Sequence, residues 1–253
     1  MDYKTTILSL ILALIFSNIY SQELEYKQGR PTSKGINEYI GENEEKFVIE
    51  YQNFIVDTLY DVYFEVDNLS EYYNYDNELG TFSYPNLITI TNEERYLDYE
   101  LEFCSKYRKS RYVENNAFVK SVVMHEISHY YFYLVIQRLK YEKLEVDNNY
   151  LSGLRMFPNN VYGSDFIEEG FCEYVAWKMG MMICDNNYKP SNIQEIMDGQ
   201  KSYDVKYRYA RIYVSKIMEA KGIKEGLKLM LCNRPPTYEE IFNEDQYIKR
   251  LLK

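Results

Sequence analysis

Two histidines are all the chain has, and both fall in one run of five, His125-Glu126-Ile127-Ser128-His129. Residues four apart on an α-helix share a face, so both imidazoles can reach a single cation while Glu126 stands beside them at its open position. Zinc takes nitrogen and oxygen ligands at about 2.0–2.1 Å in a tetrahedron, and a catalytic ion keeps one position for water. Glu126 is then the natural acceptor of that water's proton. Accident is a weak rival here. With two histidines in the whole composition, this spacing with a glutamate in that slot is on the order of a one-in-a-thousand event. Val123, Met124 and Ile127 add the apolar packing that a helix bearing such a site requires.

A third ligand is needed, and no histidine is left to supply it. Counting alone excludes any zinc site with three histidine ligands and leaves an acid, a thiol or a phenol. Phe166 to Val175 (FIEEGFCEYV) opens a later helix and offers Glu168, Glu169 and Glu173. Glu169 and Glu173 are four apart and share a face. One of them can bind the ion while the other accepts a hydrogen bond from the distal nitrogen of a ligand histidine and fixes its tautomer. Cys172 stands among these acids and could compete for a soft ion, yet a helix cysteine ordinarily behaves as a small buried hydrophobe. Trp177, two turns beyond Glu169, reads as a core anchor.

These stretches resemble the gluzincin zinc metallopeptidases, the thermolysin-like and aminopeptidase-like group. HEISH is similar to their HExxH helix, and Glu169-Gly170-Phe171-Cys172-Glu173-Tyr174 is similar to the segment that brings their third ligand from a second helix. The resemblance implies zinc held by His125, His129 and Glu169, with Glu126 as general base and Glu173 as the acid behind a ligand histidine. It covers roughly Gly80 to Leu231, with Thr81 to Thr91 in the place of the strand that pairs with extended substrate at the cleft rim. A zincin-like α+β fold and hydrolysis of a peptide or protein substrate follow as expectations. The glycine-x-methionine-x-asparagine segment that binds a free amino terminus in the aminopeptidase branch is missing from Thr81 to Thr91, and no third histidine exists to stabilise an oxyanion. A tyrosine must then serve. Tyr203, Tyr207 and Tyr209 lie in a segment (YDVKYRYARIYV) similar to the helix after the third ligand in compact gluzincins, and Tyr209 is the choice, with Tyr203 next. The competing expectation is an exported zincin-fold binding protein that hydrolyses nothing, with or without its ion.

The elements that must position these groups are legible in part. Asn116 to Lys140 is helical, with Phe118, Val122, Ile127, Tyr131 and Leu134 on one broad face and Asn115 or Asn116 as cap. Asp165 to Met182 is a second helix, Tyr203 to Lys221 and Ile223 to Leu231 are two more divided at Gly222, and Thr237-Tyr238-Glu239-Glu240 has capping-box spacing for a last helix toward Leu252. In the first half, Glu45 to Leu59 is amphipathic with helical spacing, while Val62 to Val66 and Thr81 to Thr91 read as strands. Pro85 marks the second of these as an edge or bulged strand. Asp67 to Leu79 reads as a solvated acidic loop. Strands first and helices after predict an α+β domain, a small N-terminal sheet with an edge strand packed on a mainly helical C-terminal half.

Composition narrows the function further. The chain has 253 residues, 46% hydrophobic, with formal charge −10 and pI near 4.9. That charge would be repelled by nucleic acid and by anionic membrane surfaces, so neither is an expected partner. Ile7 to Phe16 is a ten-residue apolar run behind Lys4 and ends in small and polar residues, the pattern of a signal peptide cleaved after Ser21. Residues 22–253 are then one secreted or periplasmic metallopeptidase domain, with no stable membrane insertion after removal of residues 1–21. Cys104, Cys172, Cys184 and Cys232 permit two disulfides, but their spacing fits no compact framework and free or partly paired cysteines are expected.

Overall fold

A computed structural model describes residues 26–27, 30–31, 33–67, 80–83, 85–91, 117–148, 150, 164–180, 189–194 and 204–253. The signal run, its cleavage site, most of the acidic loop, the caps Asn115 and Asn116, and Tyr203, Cys104 and Cys184 lie outside the described residues. The architecture is α+β, mostly helical, with a small mixed sheet of three strands.

Strands β1 (Tyr26–Lys27) and β2 (Arg30–Pro31) pair antiparallel ahead of helix α1, Ser33–Ile55. The helix starts well before Glu45, taking in Gly35 and Gly41, two residues that disfavour helix. Each glycine costs a helix about 1 kcal/mol relative to alanine. Ile36 and Ile40 are fully buried against the core and offset that cost. Phe47, Tyr51 and Ile55 continue the same buried stripe, and the chain leaves the helix at Val56, whose φ is +53°.

The sheet contains β3 (Tyr63–Asp67), β4 (Gly80–Ser83) and β5 (Leu87–Thr91) in the order β3-β5-β4. β3 runs parallel to β5 with Tyr63 opposite Leu87, and β4 runs antiparallel to β5 with Gly80 opposite Ile90. The single extended segment expected over Thr81 to Thr91 is therefore two strands of a hairpin. Pro85 and Asn86 form its turn, where the missing proline N–H breaks no ladder. Ile88 and Ile90 of the central strand are fully buried, and β4 is left as an edge.

Helix α2 is Ala117–Tyr141 and α3 is Ser164–Gly180, both close to their expected limits. The expected Tyr203 to Lys221 helix divides into a π-helical turn, Asp204–Tyr209, and α4, Ala210–Lys221. Gly222, at φ +77°, separates α4 from α5, Ile223–Leu231. That left-handed conformation is one that side chains with a Cβ rarely take.

The capping box forms as its spacing predicts: Thr237 Oγ1 accepts from the Glu240 N–H at 3.2 Å, and the Glu240 carboxylate accepts from the Thr237 N–H at 3.0 Å. The last helix is broken at Asn243 into α6, Tyr238–Phe242, and α7, Glu244–Leu252. Helix α3 lies between α2 and α4, and the sheet rests on α2 through β4 and β5. Among the described residues, no helix is long and apolar enough to cross a membrane.

Candidate metal centre

The centre is built where α2 and α3 pack. Helix α2 buries Val119, Val123, Ile127 and Tyr131 in the core, and this fixes its rotation. Behind it, the Tyr51 hydroxyl of α1 donates to Ser128 Oγ at 3.0 Å, and Ser128 donates to the Met124 carbonyl at 2.6 Å. His125 and Glu126 are nearly buried, and His129 is partly so.

The two imidazoles converge as the spacing requires, with Nε2 of His125 and Nε2 of His129 3.1 Å apart. Glu169 Oε2 completes a triangle, 3.2 Å from the first nitrogen and 3.7 Å from the second. A tetrahedral ion with bonds of about 2.0–2.1 Å separates its ligand atoms by about 3.3–3.4 Å, so the triangle has the size of one face of such a site. Two nitrogens and a carboxylate oxygen also form a donor set that suits zinc chemically.

The distal nitrogens face carboxylates as well. Glu168 Oε1 is 2.8 Å from His129 Nδ1, and Glu173 Oε1 is 3.2 Å from His125 Nδ1, the second approach lying off the line of a straight hydrogen bond. The later acid of α3 meets the earlier histidine of α2, so the two helices run in opposite directions across the site. Three acids within six residues therefore serve one pair of rings, Glu169 from the front and its two neighbours from behind.

Burial alone would make both imidazoles less basic. The facing carboxylates reverse this: Glu169 and Glu173 hold the His125 proton well above the usual histidine range, and Glu168 with Glu169 raises that of His129.

Cys172 also belongs to the cluster. Its Sγ and one nitrogen from each histidine all lie within 4.8 Å of one another, a group that could hold a metal ion. The thiol is free and fully buried, and burial, with Glu168, Glu169, Glu126 and Glu173 around it, pushes its ionisation far upward. Cys232 is also a free thiol.

Glycines let the neighbouring elements close on the site. A Cβ at Gly80, the first residue of β4, would stand 2.7 Å from Glu126 Cγ and 3.0 Å from its Oε1. The edge strand therefore presses its bare backbone on that carboxylate. A Cβ at Gly170 would stand 2.6 Å from the Ala210 carbonyl oxygen, so α4 meets α3 one residue beyond Glu169.

Tyr209 does not join the centre, which corrects the expectation of an oxyanion-stabilising role. Its hydroxyl donates to the Ile241 carbonyl at 2.7 Å, its ring packs on Phe166 and Tyr213, and it is 1% exposed. Tyr207 is the tyrosine of that segment at the site: its ring centroid is 5.9 Å from that of His125, and the residue is partly exposed. A π-helical turn takes up more residues than an α-turn and shifts which side chains face inward. Sequence reasoning also assigned no task to Glu168. Its signal was available, because residues one before and four after Glu169 fall on either side of it around a helix. Trp177 is half-buried as a packing residue, with Lys178 Nζ 4.4 Å and the Arg211 guanidinium carbon 5.2 Å from its ring centre. No protein-family model, curated protein or solved structure matches the chain.

Proposed function

We propose that this chain is a zinc-dependent metallopeptidase of zincin-like fold, a single domain over residues 22–253 that acts on peptide or protein substrates after export. One observation carries the reading: the triangle of His125 Nε2, His129 Nε2 and Glu169 Oε2, with edges of 3.1, 3.2 and 3.7 Å. Glu126 on the adjoining helix position and acids behind both rings support it.

In this reading His125, His129 and Glu169 hold zinc, and Glu168 and Glu173 orient the two imidazoles from behind. When bound, the ion supplies a water of lowered pKa and polarises the substrate carbonyl. Glu126 takes that water's proton and returns it to the leaving amine. Tyr207, beside His125 and partly accessible, takes the oxyanion role in place of Tyr209. The β4 edge, with Gly80 against Glu126, borders the reacting groups.

The test is turnover of an unbiased peptide library by zinc-loaded protein. Glu126→Gln should keep its zinc and lose activity by on the order of 10²–10⁴-fold, the usual worth of a general base. Retained hydrolysis refutes the role of Glu126. Glu169→Ala should lose zinc; if it binds like the parent while Glu173→Ala does not, the wrong carboxylate has been chosen. A parent chain that binds zinc and hydrolyses nothing is a binding protein instead.

A further inference from the structure

The cluster holds one potential ligand that the proposed reaction leaves idle. Cys172 follows Glu169 by three residues and Glu168 by four, so it returns to the face of α3 that meets α2. Its thiol is free and fully buried, within 4.8 Å of a nitrogen from each imidazole. Two sets of three donors thus share the same histidine pair, one closed by a hard carboxylate oxygen and the other by a soft sulfur. Carboxylates suit hard and borderline cations, whereas thiolates select soft ones.

We propose that Cys172 is an alternative ligand, so that a thiophilic cation such as cadmium is bound by His125, His129 and Cys172 while zinc is bound with Glu169. The exchange balances: the incoming cation forms a metal–sulfur bond, the thiol proton leaves, and the carboxylate released from the ion, Glu169, accepts it. The geometric demand is small. Metal–sulfur and metal–nitrogen bonds of about 2.3 and 2.0–2.1 Å bring sulfur and nitrogen to about 3.5 Å in a tetrahedron, so the thiol must close by up to about 1.3 Å. A larger ion with longer bonds asks for less. The centre is then ambivalent, and soft metals convert it into a site whose carboxylate no longer touches the ion.

The proposal rests on the metal-binding half of the function above and not on hydrolysis. It is tested on the full chain by ultraviolet absorption and by direct binding of zinc and cadmium. The cadmium-loaded parent should show one sulfur-to-metal charge-transfer band per bound ion, and Cys172→Ala should lack it. Cys172→Ala should also weaken cadmium binding by at least about tenfold and leave zinc binding nearly unchanged, whereas Glu169→Ala should do the reverse. Should Cys172→Ala fail to fold, the parent chain alone decides. X-ray absorption at the cadmium edge of the cadmium-loaded parent should then show one sulfur neighbour, and at the zinc edge of the zinc-loaded parent none. A parent with no such band, or a variant that weakens both ions equally, overturns the proposal. If zinc binds and the band is absent, only the cysteine ligand falls; if neither ion binds, the metal centre falls with it.

Discussion

Two glycine-to-alanine changes, chemically the same and both in helices, should act in opposite directions. Gly41 is exposed on α1 and a Cβ there meets nothing within 4 Å, whereas a Cβ at Gly170 would stand 2.8 Å from both the Ala210 carbonyl carbon and Val214 Cγ2. Carbon atoms in good contact sit about 3.5–4.0 Å apart, so the Gly170 contacts fall short by about 0.7 Å or more. Alanine gains about 1 kcal/mol over glycine from helix propensity at either position. Overpacking costs about 1–3 kcal/mol, and near the top of that range here, because two of the three opposing atoms are backbone and no rotamer change relieves them.

Gly41→Ala is therefore expected to stabilise by about 0.5–1 kcal/mol, and Gly170→Ala to destabilise by about 1–2 kcal/mol net. For a chain of this size that is a rise in Tm of about 1–4 °C for the first and a fall of about 2–8 °C for the second. Thermal unfolding of the ion-free proteins reads both. The Gly170 variant should also bind zinc about 10–100-fold more weakly, since a shift of α3 relative to α2 moves Glu169 out of register with the two imidazoles. An equal rise in Tm for both variants would refute the packing argument, and a destabilised Gly170 variant with unchanged zinc affinity would refute its extension to the site.

Gly80→Ala forces the Glu126 side chain away from a Cβ that would stand 2.7 Å from its Cγ and 3.0 Å from its Oε1. A displacement near 1 Å is expected to lower kcat on the order of 10²-fold while metal content, measured by elemental analysis, stays at the parent's level. At the other end of α2, Asp57 accepts from the Arg138 guanidinium at 2.6 Å and from the Tyr131 hydroxyl at 3.0 Å. Burial would raise its pKa, but these donors and the Thr58 N–H hold the carboxyl below the usual aspartate value. A depressed carboxyl contributes stability above its ordinary pKa of about 3.9 and loses it as pH falls through the folded value, so the Tm of the parent should drop more steeply below about pH 4 than that of Asp57→Asn. At neutral pH Asp57→Asn should cost about 1–2 kcal/mol, a reduced figure because Arg138 is more than a third exposed.

What the sequence made legible follows from periodicity. His125 and His129 could be paired because four residues make nearly one helical turn, and Glu169 and Glu173 for the same reason, with α2 and α3 long and unbroken enough to keep that phase. Tyr209 was misread where the phase changed: residues 204–209 wind as a π-turn, and no propensity pattern in YDVKYRY announces it. The hairpin at Pro85 was hidden because its two strands share one β-branched composition, and a proline that marks an edge also suits a turn. Gly35 and Gly41 pointed away from a helix that long-range burial of Ile36 and Ile40 imposes. The closeness of Gly80 to Glu126 spans 46 positions and has no local signature at all.

The centre draws its support from elements of different kinds, although Glu126 shares α2 with the two histidines. Every group proposed to grip the cation belongs to a two-helix hinge plate, whereas the carboxylate proposed to do the work is shimmed by a strand that contributes nothing to the grip. Retention and turnover should therefore drift apart under mutation. Remodelling the β4 rim can retune or silence the catalyst while leaving an intact cation clasp.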